Sequence, residues 1–204
     1  VVLPEVDGRL FAGIVSAKEP AKKDQDLEYA RFEHTPIVDR IDRVVSRVDK
    51  WIALQNTSAP KTALILSTYP GKAYQIAHAV GLDAIQSCRA IVEDAGLGDP
   101  DALGDLGQRL QTEVLTWSVA DYTAALETLP SDLHAQLFEA WGDIAQDQYV
   151  QNGALQFPAL QLGNALIALQ PERGWLKTRY DDYHDLSRTP CHGYVAFYLW
   201  LQSM

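Results

Sequence analysis

The sequence predicts a helix-rich, layered α/β domain with a small, mainly parallel sheet, and three observations support this fold class. Apolar residues recur at steps of three and four in several segments, which is the spacing of helices with one buried face. The run 62–67 is short, apolar and bounded by Pro60 and Pro70, which favours a buried strand. A loop and a capped helix follow this run, as at the start of a βα unit. We therefore expect a single domain over residues 1–204.

The first part of the chain is expected to be extended and then helical. Residues 1–19 have a turn signal at Asp7-Gly8, and the charged residues 20–34 are expected to be exposed. Pro36 suits the first position of the helix that follows. This helix has one apolar stripe, which we expect to be buried. The members of the stripe are Ile37, Ile41, Val44, Val48 and Trp51.

Further helices are predicted in the middle of the chain from the residues that would open them. Asp83 is expected to cap a helix that ends at Gly96. Ser118 opens another helix, with Asp121 in the position of a capping box, and Ser131 opens a third. These helices supply most of the regular structure expected between the first strand and the later strands.

The remaining elements are a short helix near 101–111, a pair of strands and a final helix. The stretch 155–169 is apolar around Gly163-Asn164, which predicts two strands joined by a turn, or one strand broken by it. The final helix is expected to begin near Thr189-Pro190.

Charge and cysteine content exclude several classes of protein. Seventeen basic and twenty-seven acidic residues give a net charge of −10. An acidic chain repels phosphate backbones, so nucleic acid is not an expected partner. Cys88 and Cys191 stand in no paired motif, which fits a reducing cytoplasm and argues against a disulfide framework or a cysteine zinc site. No segment has the length of a membrane span, so a membrane is not an expected partner either.

The two ends of the chain suggest a piece of a longer polypeptide. The chain begins without Met in an apolar stretch, and it stops within or just after the amphipathic segment 194–201. We expect a domain excised from a multidomain subunit, and the alternative is a cleaved or tagged small protein.

No phosphate-binding loop is complete in this sequence. Gly71-Lys72 follows the first predicted strand, but the first glycine and the hydroxyl residue of a P-loop are missing around it. We therefore expect that this chain does not hydrolyse ATP itself.

One histidine-containing loop is a candidate site for proton or metal handling. His184 and His192 lie eight residues apart, with three carboxylates and Arg188 between or beside them. Imidazole and carboxylate groups act as bases and as metal ligands near neutral pH. The alternative, which these residues alone favour, is a hydrogen-bonded connection into the final helix. No metal site is expected among the other histidines, because no pair has helical ligand spacing.

Two other segments carry candidate binding residues. Glu5 and Asp7 flank a turn in an apolar stretch, where a buried carboxylate would be a poised base, and surface turn capping is the alternative. Gln170 and Arg173 follow a predicted strand end, where α/β folds usually place ligand groups. Arg173 would pair with a carboxylate on a substrate, and an ordinary salt bridge is the alternative.

Several of these stretches, taken in order, resemble the CobN family, the large subunit of aerobic cobaltochelatase, and more distantly the H subunit of magnesium chelatase. The similar motifs stand at 3–9, 16–19, 47–51, 56–57, 69–72, 81–83, 163–164, 170–171, 173–174, 183–185, 192–194 and 196–198. They cover nearly the whole chain. The chain departs from the family pattern at Ala77-His78, Ala168, Trp175, 176–178 and Cys191. These departures indicate a divergent member.

The resemblance implies part of a ligase that inserts Co²⁺ into the corrin precursor hydrogenobyrinic acid a,c-diamide during cobalamin biosynthesis in the cytoplasm. Co²⁺ would be the substrate metal, and separate AAA+ ATPase and associated subunits would use the ATP. The piece alone would be inactive. The alternatives are a magnesium chelatase H-type piece that inserts Mg²⁺ into protoporphyrin, a non-catalytic scaffold domain of the same subunit, and an unrelated small-molecule-binding α/β module.

Metal insertion suggests a role for each candidate residue. The two inner pyrrole protons must leave, and the aquo-metal ion must lose water, which base and ligand groups assist. We expect Glu5, His184 and His192 to handle protons or metal. Gln170 and Arg173 would bind the macrocycle. Asp7 is expected in the same substrate-binding group, where it would orient the neighbouring side chains. Residues 170–194 would then form the lip of a cleft.

Overall fold

The computed structural model describes residues 13–67, 78–79, 82–174 and 187–204. The predicted site residues Glu5, Asp7 and His184 lie outside the described residues, as does the segment 69–72. The chain divides into two compact units, Val1–Pro60 and Lys61–Met204. The expectation of a single domain stays a prediction.

The first unit contains an antiparallel hairpin and a long helix. β1 (Ser16–Pro20) pairs with β2 (Phe32–Pro36), with Ser16 opposite Pro36. The charged connection between the strands is exposed for most of its length, as the sequence predicts. α1 (Val38–Gln55) begins two residues after Pro36, because Pro36 ends β2 and Ile37 keeps an extended backbone as the N-cap. The predicted start of this helix at Pro36 is therefore early by two residues.

The apolar stripe of α1 is not buried, and the prediction that it is buried is wrong. No residue of α1 is classed as buried in the described chain, and Trp51 keeps 38% of its surface exposed. Ile41 and Val44 are half-buried. Among the residues of this unit that the structure describes, only two five-residue strands accompany the 18-residue helix, and their apolar surface is too small to cover the stripe.

The second unit is built around a mixed sheet with the strand order β3-β9-β8-β6, and β7 also pairs with β8. The strands of the unit are β3 (Thr62–Leu66), β4 (His78–Ala79), β5 (Leu82–Asp83), β6 (Val114–Ser118), β7 (Val150–Gln151), β8 (Ala154–Leu162) and β9 (Ala165–Leu169). β4 and β5 form a separate antiparallel pair. β3 and β9 are parallel, and the pairs β9–β8, β8–β6 and β8–β7 are antiparallel.

The structure confirms the helix-rich α/β class and corrects the expectation of a mainly parallel sheet. Two residues, Gly163 and Asn164, join β8 to β9, and so short a link can only produce an antiparallel pair. Gly163 turns the chain at φ +54°, a conformation that residues with a side chain rarely adopt. Of the two possibilities for 155–169, two strands joined by a turn is therefore confirmed.

The helices of the second unit begin close to the predicted positions. They are α2 (Ala84–Asp94), α3 (Leu106–Thr112), α4 (Val119–Leu126), α5 (Ser131–Trp141) and α6 (His192–Ser203), with short 3₁₀ helices at Pro100–Leu103 and Ile144–Gln146. Asp83 Oδ1 accepts the backbone N–H of Gln86 at 2.9 Å, which confirms the cap predicted for α2. Ser118 Oγ accepts the backbone N–H of Asp121 at 3.0 Å, which confirms the cap predicted for α4.

Alternate residues of the central strands face two separate apolar cores, so the unit is layered. On one face, Phe157 of β8 lies in a cluster with Tyr122 of α4 and with Phe197 and Trp200 of α6. On the other face, Ile167 of β9 lies in a cluster with residues of α2 and α3. Helices on both sides of a shared sheet therefore bury it and fix the ends of its strands.

Candidate functional site

The candidate site lies where the parallel strands β3 and β9 end. The backbone N–H of Gln170, just after β9, donates to the carbonyl oxygen of Leu66, the last residue of β3, at 2.9 Å. The carboxyl ends of parallel strands are where α/β sheets most often bind ligands, because the connecting loops diverge there. Gln170 was predicted to contact a substrate, and the structure places it at this edge.

The side chain of Gln170 joins the sheet edge to two tyrosines of α6. Its Nε2 donates to the hydroxyl oxygen of Tyr198 at 2.6 Å and to that of Tyr194 at 3.3 Å. The tyrosines are one helical turn apart, with ring centroids 5.2 Å apart. All three residues are half-buried, so this edge of the sheet carries a polar cluster beside the apolar core.

Arg173 supplies a cation to the same segment. Its side chain is half-buried, and one guanidinium nitrogen donates to the carbonyl oxygen of Arg188 at 3.3 Å. Within the ranges that the structure describes, no carboxylate forms an ion pair with Arg173. The guanidinium therefore keeps donors that match a carboxylate ligand.

Hydrogen bonds bring together the two ends of the segment that contains His184. The backbone N–H of Cys191 donates to the carbonyl oxygen of Arg173 at 2.7 Å. Gln148 Nε2 donates to the carbonyl oxygen of Gly174 at 2.9 Å, and Trp141 Nε1 donates to that of Thr189 at 2.9 Å. Residues 173–174 and 189–191 are therefore held at one place, beside the exit of β9.

His192 is buried, and both its ring nitrogens have partners inside the chain. Nε2 lies 3.0 Å from the carbonyl oxygen of Gly142, and Nδ1 lies 2.8 Å from the hydroxyl of Tyr122. A carbonyl oxygen only accepts, so Nε2 carries the proton and Nδ1 accepts from the phenol. The ring is 5% exposed. This arrangement favours a structural or positioning role, and proton or metal handling by His192 itself stays a prediction.

Asp147 binds the first turn of α6, a role that the sequence did not suggest. Its Oδ2 accepts the backbone N–H of Gly193 at 3.1 Å, and its Oδ1 accepts that of Tyr149 at 2.9 Å. A carboxylate at this place also interacts favourably with the positive end of the helix dipole. The hydroxyl of Tyr149 accepts the backbone N–H of Glu172 at 2.8 Å, which links this cap to the strand exit.

Burial and the charge of Asp147 keep the surrounding acidic groups protonated. Burial raises the pKa of the Cys191 thiol to about 12, and the nearby carboxylate of Asp147 adds to the rise. Burial is also the largest cause of the raised pKa values of Tyr122 and Tyr149, with a smaller contribution from Asp147. These three groups are therefore neutral near pH 7.

An apolar groove of about 230 Å³ opens on the other face of the sheet, between β3 and α2. Its walls include Leu64, Leu66, Cys88 and Ile91, with the hydroxyl of Ser67 at the end of β3. A groove of this size is below the usual range for a drug-sized ligand, so it would accommodate only part of a large one.

The described residues contain no cluster of His, Cys, Asp and Glu that would hold a metal ion. No helix in the described part of the chain is long and apolar enough to cross a membrane.

Of the six predicted site residues, the structure describes Gln170, Arg173 and His192. All three lie around the exit of β9 and the start of α6, Gln170 and Arg173 on the exit itself and His192 in the core behind it. Sequence reasoning missed the tyrosines of α6 as site residues. Their spacing of four in a predicted helix, with the first beside His192, is the signal that would have found them.

Comparisons with known proteins agree on one family. The family model described as CobN/Magnesium Chelatase matches residues 1–204. A protein described as the aerobic cobaltochelatase subunit CobN of Sinorhizobium sp is 26% identical over 221 residues, which cover 99% of this chain and 17% of that protein. The protein of the same description from Pseudomonas aeruginosa is 28% identical over 226 residues, which cover 99% of this chain and 18% of that protein.

A solved structure is also similar. The catalytic subunit of cobaltochelatase from Mycobacterium tuberculosis superposes with a TM-score of 0.71 at 27% identity, over 98% of this chain and 18% of that one. The chain therefore spans less than a fifth of the length of each of these three relatives.

Proposed function

The chain belongs to the CobN/magnesium chelatase family, and on that premise we propose that it forms part of the tetrapyrrole-binding subunit of an ATP-dependent cobaltochelatase. The complete subunit would insert Co²⁺ into hydrogenobyrinic acid a,c-diamide. AAA+ ATPase partner subunits in the cytoplasm would use the ATP. The relatives described as the aerobic cobaltochelatase subunit CobN favour cobalt over magnesium as the substrate metal.

The observation that carries this proposal is the set of polar groups at the carboxyl edge of β3 and β9. Gln170 and two phenol groups stand there as hydrogen-bonding groups, and Arg173 stands three residues further along as a cation. Corrin precursors carry carboxylate and amide substituents around an apolar ring. Such a ligand requires an apolar wall with a few fixed donors and one or more cations at its rim.

Proton and metal handling would come from side chains that face the bound macrocycle. We assign this role to Glu5 and His184, with Asp7 orienting its neighbours. For His192, whose nitrogens are engaged by Tyr122 and Gly142, we assign the positioning of the start of α6. The hydrogen bonds at Arg173 and Gly174 would fix the exit of β9, where the cation would bind the substrate.

A scaffold role inside the same subunit is the second candidate function. The hydrogen bonds of both ring nitrogens of His192 favour it, because one of the predicted acid–base residues is then a buried structural residue. Under this reading other parts of the subunit would bind the tetrapyrrole, and this chain would hold them in place.

Titration of the 204-residue chain with a tetrapyrrole separates these two functions. The five tryptophans provide the signal, and we expect saturable quenching of their fluorescence by a bound tetrapyrrole. Absence of quenching would favour the scaffold role.

In the complete subunit with its ATPase partners, His184→Ala should abolish most metal insertion while tetrapyrrole binding is largely retained. Unchanged turnover would remove His184 from the site.

A further inference from the structure

We propose that the phenol group of Tyr198 binds a carboxylate or carboxamide oxygen on the rim of the macrocycle, and that Gln170 sets its direction. This inference rests on the function proposed above and names the part of the ligand that this edge recognises. It is independent of the residues assigned to proton and metal handling.

The position of the two tyrosines differs from that of their neighbours on α6. Ala196 and Phe197 are fully buried against the sheet, whereas Tyr194 and Tyr198 are half-buried. The two rings are tilted by 58° at a centroid distance of 5.2 Å, so the phenol groups lie side by side at the margin of the helix layer. A ligand at the carboxyl edge of β9 would therefore meet their polar ends first.

The hydrogen bonds of Gln170 leave a phenol proton for a ligand. The amide nitrogen can only donate, so each hydroxyl oxygen that it contacts acts as an acceptor. The hydroxyl proton must then point to another acceptor. For Tyr198, none of the residues described by the structure provides one. Tyr198 is thus oriented as a donor before any ligand arrives.

The charge nearby selects the kind of acceptor. Arg173 follows Gln170 by three residues and has no carboxylate partner among the described residues. A cation together with neutral donors matches a negatively charged or strongly polar oxygen, because hydrogen bonds to an ionised acceptor are about twice as strong as neutral ones. The rim substituents of a tetrapyrrole, rather than its apolar face, fit this combination.

The test compares two ligands that differ only at the rim. Mesoporphyrin IX carries two free carboxylates, and its dimethyl ester has the same ring and alkyl groups without the charges. Both are titrated into the 204-residue chain with tryptophan fluorescence as the readout. We expect the wild-type chain to bind the free acid about tenfold more tightly than the ester. Tyr198→Phe should weaken binding of the acid about five- to tenfold and leave binding of the ester nearly unchanged.

Controls distinguish this inference from the proposed function. Tyr29→Phe removes a phenol that is 62% exposed in the first unit and should change neither affinity. If Tyr198→Phe keeps the wild-type preference for the acid, the inference is wrong while tetrapyrrole binding stands. If the wild-type chain binds neither porphyrin, the proposed function fails and the inference with it. Should circular dichroism show that Tyr198→Phe disturbs the fold, Gln170→Met removes the amide that orients the Tyr198 phenol, and an unchanged preference for the acid in that variant contradicts the inference equally.

Discussion

Gly193, the second residue of α6, stands where the ring of Tyr149 leaves no room for a side chain. An added Cβ would overlap Cδ2 of that ring and lie 2.8 Å from its Cγ and 3.0 Å from Oδ1 of Asp147. Neither neighbour can move freely, because the Tyr149 hydroxyl binds Glu172 and the carboxylate binds the helix. The absence of a side chain at this position is therefore a packing requirement, independent of backbone conformation.

Gly193→Ala should destabilise the chain by about 2–3 kcal/mol, the usual cost of overpacking a tight interior. Urea denaturation monitored by tryptophan fluorescence measures the change. Gly107→Ala is the matched control, since Gly107 lies in α3 and an added Cβ would meet only Oδ1 of Asp105 at 3.5 Å. The control should be neutral or more stable than the wild type. Equal stability of both variants would contradict the steric account of Gly193.

At the scale of elements, the start of α6 depends on a residue far away in the sequence. Its N-cap, Cys191, makes no side-chain cap hydrogen bond, and Asp147 supplies the missing acceptor. The caps of α2 and α4 come instead from the residue directly before each helix, Asp83 and Ser118. Local caps are visible in a sequence, whereas a cap contributed from 46 residues away is not.

Asp147→Ala should lower the free energy of unfolding by about 1–2 kcal/mol. The change removes an acceptor for two backbone N–H groups and the favourable charge at the helix start. Urea denaturation again gives the value. Glu139→Ala, on the exposed side of α5, is the control and should change stability by no more than about 0.5 kcal/mol. A loss no larger than that of the control would show that Asp147 does not stabilise α6.

The sequence predicted the order of helices and strands better than it predicted the pairing of the strands. β3, the hairpin of β8 and β9, and the final helix are confirmed. β6 was missed because its five residues begin two residues after the end of α3, with no turn signal between them. Their extended conformation depends on pairing with β8, where Val114 lies opposite Pro158. For α1, periodicity identified the apolar face, but nothing in it showed that Trp51 would stay partly exposed.

The candidate site was predictable only where it depends on strand ends. Gln170 and Arg173 were found because they follow an apolar run, and the exits of strands collect ligand groups. The partners of His192 lie 50 and 70 residues away, at Gly142 and Tyr122. The burial of His192 depends on how distant segments pack together, and no local sequence pattern predicts that packing.

At the scale of the whole molecule, the buried thiol and phenol groups make the free energy of unfolding decrease as the pH becomes alkaline. The pKa of Cys191 rises from 9.0 to about 12 in the folded chain, so between these values the unfolded chain loses its proton first. The stabilising contribution is complete below pH 9 and is lost as the pH rises through 12. Tyr122 and Tyr149, whose pKa values are also raised, add to the loss above their ordinary value of 10.0.

We expect the free energy of unfolding to fall between pH 9 and pH 10 by up to about 1.4 kcal/mol for a single fully buried thiol. Urea denaturation at pH 8, 9 and 10 tests this. Cys191→Ala should show a shallower decline over the same interval, with the remainder due to Cys88, Tyr122 and Tyr149, whose pKa values are also raised by burial. A decline of equal slope in the variant would mean that Cys191 does not contribute.

The hydrogen bonds that join Arg173 to Cys191, Gln148 to Gly174 and Trp141 to Thr189 have a consequence for the evolution of the family. They hold residues 173–174 and 189–191 together within the second unit. Closing a longer stretch costs little more entropy than closing a short one. We therefore expect the number of residues between positions 174 and 187 to vary among relatives more than the sheet and helices of the second unit do.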